Sequence, residues 1–195
     1  MRAFPLVLAS TSPYRRALVE RLGLAPEIEA PGVDESVPGP PGEAPADRAV
    51  RLAIAKARAV HERRPGALVI GSDQVVDLDG EVLGKPGDAA GARAQLARLT
   101  GRRHRLVTAL AVVHPDGRLE TALDVHEMTM RPLDAAAIGR YVDRDAPLDC
   151  AGSYRIESLG IALFELIEGR DFTAIVGLPL IALSSILGSA GLHVP

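Results

Sequence analysis

Lysine is rare in this sequence, and its two lysines mark places where an ammonium group could do chemistry. The chain holds 22 Lys and Arg residues, of which only Lys56 and Lys85 are lysines. Arginine serves wherever a general cation is enough, whereas a compact ammonium group suits a single phosphate or carboxylate oxygen. Codon drift that left two lysines by chance is the alternative. Both lysines are therefore candidate ligands of an anion.

Lys56 falls in the middle of an apolar helical stripe. The neighbours three and four positions away on both sides, and the one seven positions before it, are all apolar. They are Ala49, Leu52, Ala53, Ala59 and Val60. A lysine in such a stripe either extends along its stem to water or points its ammonium at a partner in a cleft. The scarcity of lysine favours the second interpretation.

Asp73 follows the apolar run ALVIGS, near a predicted strand end, where ligand-binding groups of α/β sheets collect. The pair Asp79-Gly80 predicts a two-residue hairpin turn. Extending the hairpin register back from that turn places Lys85 beside Gln74 and within a residue of Asp73. An acid, an amide and a lysine at one strand end suit a metal-phosphate site, and a structural ion pair is the alternative.

The segment STSPYRR, residues 10–16, joins a predicted strand to a predicted helix. Free N–H groups at the helix start, hydroxyl groups and the guanidinium groups of Arg15 and Arg16 would converge there, which is what a phosphate needs. The alternative is that Ser12 merely caps the helix, with Pro13 at its first position and the arginines in solvent. Capping and phosphate binding are compatible, so both stay open.

Histidine and cysteine give no metal-binding pattern. The five histidines show no H-x-x-x-H spacing, and the lone Cys150 excludes an internal disulfide and a multi-cysteine zinc site. A ligand set assembled from distant segments stays open. If a metal binds, hard oxygen ligands such as Glu35 and Asp73 favour Mg²⁺ or Mn²⁺.

Alternating strands and helices must position these side chains. Residues 5–9 predict a buried strand, and the helix after SPYRR ends at Gly23. Residues 31–46, rich in Pro and Gly, predict a surface loop that holds Glu35. The order of elements predicts an α/β fold, with a central mixed twisted sheet flanked by helices.

The remaining elements follow the same signals. A helix is predicted over residues 47–63 with Asp47 as its N-cap, and the hairpin at Asp79-Gly80 pairs Val76 with Leu83. The other predicted elements are a strand ALVIGSDQVV, a helix around 89–99, strands HRLVTALAVV and LETALDVHEMTM, a helix capped by Asp134, a strand IALFELI and a final helix opened by Pro179.

Composition bounds the class of protein. The chain has 195 residues, 47% apolar and 24% charged, which predicts one folded domain, or one domain with two lobes. A net charge of -3 argues against a nucleic-acid-binding module, and six aromatics are few for stacking bases. The apolar runs are far shorter than the roughly 20 residues of a membrane span, and no signal-peptide cleavage pattern follows the start. We expect a cytoplasmic protein with no membrane partner.

Four segments together resemble the Maf nucleoside triphosphate pyrophosphatases. In the family's order, they are LVLASTSPYRRALVERLGL, the VDE at the start of the Pro-rich loop, GSDQVVDLDGEVLGKP, and CAGSYRIESLGIALFELIEGRDFTAIVGLPL. The resemblance spans nearly the whole chain, and the combination is specific although no single segment is. It implies a single Maf-like domain over residues 1–195, with two lobes around a cleft and a sheet like that of inosine triphosphate pyrophosphatases, often as a homodimer.

The resemblance also implies metal-dependent hydrolysis of a nucleoside triphosphate to the monophosphate and pyrophosphate. Carried over position by position, it makes Asp73 the proton acceptor. The resemblance implies that the phosphates are bound by Ser10, Arg15, Lys56 and Lys85. It implies that the metal is bound by the carboxylates of Glu35 and Asp73.

Three further positions separate the branches of the family. The branch that acts on dTTP and UTP typically has Arg, Thr and Gln there, whereas this chain has Tyr14, Gln74 and Glu157. That set resembles the branch specific for 7-methyl-GTP. Methylation at N7 gives guanine a positive charge, which the face of Tyr14 attracts and the carboxylate of Glu157 favours.

Two alternatives to a 7-methyl-GTP pyrophosphatase stay open. One is a dTTP/UTP pyrophosphatase of the same family. The other is a non-catalytic nucleotide-binding regulator of septum formation, which would bind nucleotide without turnover.

Overall fold

The computed structural model describes residues 4–194. Its α-helices are α1 (Pro13–Arg21), α2 (Pro45–Arg63), α3 (Ala89–Leu99), α4 (Ala135–Asp145), α5 (Phe172–Val176) and α6 (Leu180–Ser189). Its strands are β1 (Leu6–Leu8), β2 (Glu27–Ile28), β3 (Leu68–Leu78), β4 (Glu81–Leu83), β5 (Arg103–Val113), β6 (Leu119–Met130) and β7 (Phe164–Glu168). Two short 3-10 helices cover Ala151–Ser153 and Leu159–Leu163.

One mixed sheet holds these strands, in the order β2-β1-β3-β5-β6-β7, with β4 paired to β3. The described chain forms two compact units. Unit 1 comprises the described residues up to Asp73, Thr108–Asp124 and those from Asp171 onward, and unit 2 comprises Gln74–Val107 and Val125–Arg170. The long strands β3, β5 and β6 each contribute one half to each unit. The sheet confirms the predicted α/β class.

Unit 1 is built on three parallel strands. Strand β1 pairs with β2 on one side and with β3 on the other, with Leu8 opposite Ile28 and Ile70. Parallel strands need a crossover, and the chain supplies α1 between β1 and β2 and α2 between β2 and β3. The core of the unit packs apolar side chains of β1, β3 and β5 against α1 and α6. Burying this apolar surface is the main stabilising term of the unit.

Unit 2 contains the predicted hairpin and a small aromatic cluster. Strands β3 and β4 pair with Val76 opposite Leu83, as the Asp79-Gly80 turn predicts, and both turn residues have positive φ. The ring of His104 packs against Tyr154 and Phe164. Burial, helped by the charge of Arg102, lowers the pKa of His104 to about 4. His104 is therefore a neutral core residue at neutral pH.

Most predicted elements are confirmed, with small corrections. Asp47 is not the N-cap of α2, since Pro45 takes the first helical position and the helix starts two residues earlier than expected, with Ala44 as its N-cap. The run IALFELI is a strand only from Phe164, because a 3-10 helix occupies its first residues. Asp134 caps α4 and Pro179 immediately precedes α6, as predicted.

No helix in residues 4–194 is long and apolar enough to cross a membrane.

Helix α2 lies unusually close to strand β3 at Gly71. A Cβ atom added at Gly71 would lie 2.5 Å from the carbonyl oxygen of Ala53 and 2.8 Å from the amide nitrogen of Ala57. Both contacts are with helix backbone, which cannot move without displacing the helix. The absence of a side chain at Gly71 therefore sets the spacing between β3 and α2.

We expect Gly71→Ala to lower the free energy of unfolding by about 1–3 kcal/mol, because the new methyl group forces α2 away from β3. Gly139→Ala is the matched control. A Cβ at that position in α4 meets nothing within 4 Å, so this variant should gain about 0.5–1 kcal/mol from its better helix propensity. Urea unfolding measures both changes. Equal stability of Gly71→Ala and the wild-type protein would contradict the close packing.

Candidate active site

The parallel strands of unit 1 bring three chain segments to one edge of the sheet. The amide of Ala9 donates to the carbonyl of Ile70 (2.8 Å), and the amide of Glu29 donates to the carbonyl of Leu8 (3.1 Å). The chain leaves β1 at Ser10, leaves β2 toward the loop that holds Glu35, and continues along β3 to Asp73. Carboxyl ends of parallel strands are the usual place for ligand sites in α/β sheets. The sheet thus gathers the predicted site residues of unit 1.

Lys56 is buried and bridges two carboxylates. Its Nζ lies 2.6 Å from Oδ1 of Asp73 and 2.8 Å from Oε1 of Glu35. The side chains of Lys56 and Asp73 are each 6% exposed, whereas that of Glu35 is 50% exposed. The lysine therefore does not extend to water. Its ammonium is held by the two acids that the sequence singled out. Asp73 lies within β3, not near a strand end as predicted, because β3 continues beyond its pairing with β1 to Leu78, where it pairs with β4.

A local turn shapes the segment around Glu35. The side chain of Asp34 accepts hydrogen bonds from the amide of Ser36 (2.9 Å) and from its hydroxyl (2.6 Å). These bonds lower the pKa of Asp34, because they stabilise its charged form. The turn folds Asp34 back on the chain, and Glu35, not Asp34, reaches Lys56.

The geometry of the turn at residues 10–16 shows the predicted helix cap. Pro13 begins α1, and the Ser12 hydroxyl accepts from the amide of Arg15 at 3.4 Å, so Ser12 caps the helix as predicted. Ser10 is buried, and its hydroxyl accepts from the amide of Ser12 at 3.2 Å. Arg16 is exposed and pairs with Glu20 on the helix surface. The turn therefore separates a solvent-facing arginine from Arg15, which is half-buried.

Arg15 is fixed by the loop before α6. Its Nε donates to the carbonyl oxygen of Gly177 at 2.9 Å. Burial lowers the pKa of the Arg15 guanidinium, and the charges of Asp73 and Glu35 raise it in partial compensation. Arg15 thus lies within the electrostatic field of the same two carboxylates that hold Lys56.

Ser72 is a structural partner of the site that the sequence reasoning missed. Its hydroxyl is buried and donates to the carbonyl of Gly177 at 2.9 Å, the same oxygen that Arg15 uses. Gly177 has a φ of 125°, which only glycine adopts readily. The signal in the sequence was the position of Ser72 beside Asp73, together with a glycine before Leu178-Pro179.

Tyr14 lies in α1 of unit 1, and the other three predicted residues, Gln74, Lys85 and Glu157, lie in unit 2. Tyr14 is in the first turn of α1 and is half-buried, as is Gln74 in β3. Strand β4 ends at Leu83, so the predicted pairing does not extend as a ladder to Lys85. Lys85 is exposed, and it forms no ion pair with any residue in 4–194.

Glu157 lies on the surface of unit 2 near other acids. Its side chain is exposed. Partial desolvation raises the pKa of Glu157, and the charge of Arg155 opposes this rise, while Asp145 and Asp149 add to it by smaller amounts. Glu157 therefore lies among charges of both signs.

The described side chains do not form a complete metal site by themselves. No three His, Cys, Asp or Glu residues within 4–194 are grouped so that they could hold a metal ion. Glu35 and Asp73 nonetheless supply two hard carboxylates that meet at the Lys56 ammonium. Mg²⁺ commonly uses one or two carboxylates and completes its shell with substrate phosphates and water. The donor chemistry fits such an ion.

Comparison with known proteins gives a consistent family. The model of the family described as "Maf-like protein" matches residues 5–190. A 7-methyl-GTP pyrophosphatase of Xanthomonas oryzae pv. oryzae is 53% identical over 97% of this chain and 98% of its own length. Proteins of the same name from Aromatoleum aromaticum and Bordetella pertussis are 51% and 52% identical, covering 100% and 98% of this chain and 100% and 96% of their own.

A solved structure supports the fold independently. The HAM1 protein of Coxiella burnetii superposes with a TM-score of 0.51 at 16% identity, covering 96% of this chain and 100% of that chain. At this identity the likeness concerns the fold alone.

Removing the ammonium of Lys56 should leave a buried charge without a partner. We expect Lys56→Met to lower the free energy of unfolding by about 3–5 kcal/mol at neutral pH. Urea unfolding of Lys56→Met and of the wild-type protein measures the effect.

The double variant Lys56→Met/Asp73→Asn is the control for this prediction. It removes both charges of the pair, so it should be more stable than Lys56→Met alone at neutral pH. A double variant as unstable as the single one would mean that lost packing explains the effect.

Proposed function

This chain belongs to the Maf family, and on that premise we propose that it is a nucleoside triphosphate pyrophosphatase that hydrolyses 7-methyl-GTP to 7-methyl-GMP and pyrophosphate. The substrate follows from the names of its relatives and from Tyr14, Gln74 and Glu157. One structural observation carries the chemistry: a buried ammonium, that of Lys56, between the carboxylate of Asp73 in β3 and that of Glu35 in the loop after β2.

The charges of this cluster explain how it would bind a triphosphate. Lys56 and Arg15 are cations, and Asp73 and Glu35 are carboxylates, so the formal charges of these four groups cancel. A triphosphate adds several negative charges, which need further positive charge. A divalent cation held by Glu35 and Asp73 would supply that charge and would polarise the phosphate oxygens.

Each residue then has a role in hydrolysis. Lys56 and Arg15 would hold phosphate oxygens, with Ser10 as a further hydrogen-bond donor at the turn. Water attacks the α-phosphorus, the bond from that phosphorus to the bridging oxygen breaks, and pyrophosphate leaves. Asp73 accepts the proton of the attacking water. The two cations also stabilise the negative charge that develops on the departing pyrophosphate.

Recognition of the base rests on the chemistry of the ligand. A 7-methylguanine ring is positively charged, so it gains from stacking on an aromatic face by about 0.5–2 kcal/mol. Tyr14 would supply this face. Glu157 would accept from the N1 and N2 donors of the base. A pyrimidine offers neither feature.

Lys85, Gln74 and Glu157 enter this proposal through the resemblance to the family. Substitutions at these three positions test their roles in binding the phosphates and the base. The homodimer and the cytoplasmic location likewise stay predictions of the sequence.

A substrate panel tests the proposal. Release of pyrophosphate is measured from 7-methyl-GTP, GTP, dTTP and UTP with Mg²⁺ or Mn²⁺. We expect the highest kcat/KM for 7-methyl-GTP. Preference for dTTP and UTP would select the other pyrophosphatase branch, and binding of nucleotide without any turnover would select a regulatory protein.

Asp73→Asn tests the proton acceptor in the same assay. We expect kcat to fall by about 10²-fold or more, because amide nitrogen and oxygen cannot take the proton. Asp47→Asn is the matched control, since Asp47 is exposed in the first turn of α2 and lies outside the cluster. Undiminished turnover in Asp73→Asn would eliminate Asp73 as the acceptor.

A further inference from the structure

Arginines of α2 hold the segment that carries Glu35. This segment, residues 29–44, has no helix or strand of its own, and we name it the Glu35 loop. Nη2 of Arg48 donates to the backbone carbonyl of Glu35 at 2.9 Å. Arg51 makes two hydrogen bonds to the carboxylate of Glu43, of 2.5 and 2.8 Å. The two bonding arginines lie one turn apart on the helix that also carries Lys56.

The hydrogen bond from Arg48 holds the backbone of Glu35, the loop residue that pairs with Lys56. Glu35 is half-exposed, so packing alone does not hold its side chain beside Lys56. A donor on its own carbonyl oxygen places the Glu35 backbone at a set distance from α2. Because Arg48 and Lys56 belong to the same helix, this bond also sets the distance between the Glu35 carboxylate and the Lys56 ammonium.

The contact of Arg51 secures the far end of the loop. The Glu43 side chain is only 11% exposed and packs against the loop backbone at Gly39. A Cβ atom at Gly39 would lie 2.0 Å from the Glu43 carboxylate. Because Gly39 has no side chain, it leaves room for the Glu43 carboxylate. Arg51 binds this carboxylate in a bidentate pair, the arrangement in which arginine gives most geometric specificity.

We propose that Arg48 and Arg51 are positioning residues, which hold the Glu35 carboxylate at Lys56 and thereby set the affinity of the site for a divalent cation. The predicted effect on metal-dependent pyrophosphate release rests on the proposed function. The side-chain hydrogen bonds of both arginines go to the Glu35 loop. The pair with Glu43 raises the pKa of Arg51, and the charge of Asp73 adds to that rise. Outer residues that orient metal-binding carboxylates typically change metal affinity by about 10- to 100-fold when they are replaced.

Arg48→Met and Arg51→Met test this inference, with Arg58→Met as the control. Arg58 is an exposed arginine of the same helix, and its side chain has no hydrogen bond or ion pair with any residue in 4–194. In pyrophosphate release titrated with Mn²⁺, we expect the two test variants to need about tenfold more Mn²⁺ for half-maximal rate. The rate at saturating Mn²⁺ should change little. Arg58→Met should behave as the wild type.

A double variant separates positioning from general damage. In a Glu35→Gln background, Arg48→Met should add less than about a twofold further change in Mn²⁺ requirement, because Arg48 acts through Glu35. A full additional tenfold loss would show that Arg48 acts elsewhere, and would overturn the proposal.

Amide hydrogen exchange gives a readout that needs no activity. We expect faster exchange across residues 29–44 in Arg48→Met and Arg51→Met, with the amides of α2 and β3 unchanged. Unchanged exchange in the loop would overturn the proposal. If the wild-type protein turns over none of the nucleotides, the proposed function fails, and the exchange result still decides whether these arginines hold the loop.

Discussion

The buried ion pair between Lys56 and Asp73 is the interaction on which the rest of the site depends. Desolvating an ammonium and a carboxylate costs several kcal/mol for each ion, and this cost is offset only when the partners stay close and well oriented. The 2.6 Å contact meets that condition. Lys56 comes from a helix and Asp73 from a strand, so the pair requires that α2 and β3 keep a fixed spacing.

That spacing is produced by small residues and by the sheet itself. Gly71 lets the backbone of α2 approach β3, two residues before Asp73. The parallel pairing of β2, β1 and β3 then brings the turn of Ser10 and the Glu35 loop to the same edge. Gly177 adds a shared carbonyl for Arg15 and Ser72. A polar cluster is thus held by backbone geometry, which is why distant stretches of the chain can form one site.

The sequence predicted what depends on periodicity and local turn chemistry. The apolar stripe around Lys56, the cap at Ser12 and the hairpin at Asp79-Gly80 are local signals, and the structure has all three. Contacts between distant segments left weak signals or none. Nothing near Glu35 indicates that Arg48 donates to its carbonyl, and the glycine before Leu178-Pro179 does not by itself point to Ser72. Asp47 was misassigned as a cap because a proline can take the first helical position, and here Pro45 begins α2 two residues before that acid.

A crystal structure with a non-hydrolysable α,β-methylene analogue of 7-methyl-GTP and Mn²⁺ tests the account most directly. We expect phosphate oxygens about 3 Å from Nζ of Lys56 and from the guanidinium of Arg15, with the ion near Glu35 and Asp73. An analogue whose phosphates lie away from both cations, with Lys56 still paired only to its two carboxylates, would contradict it.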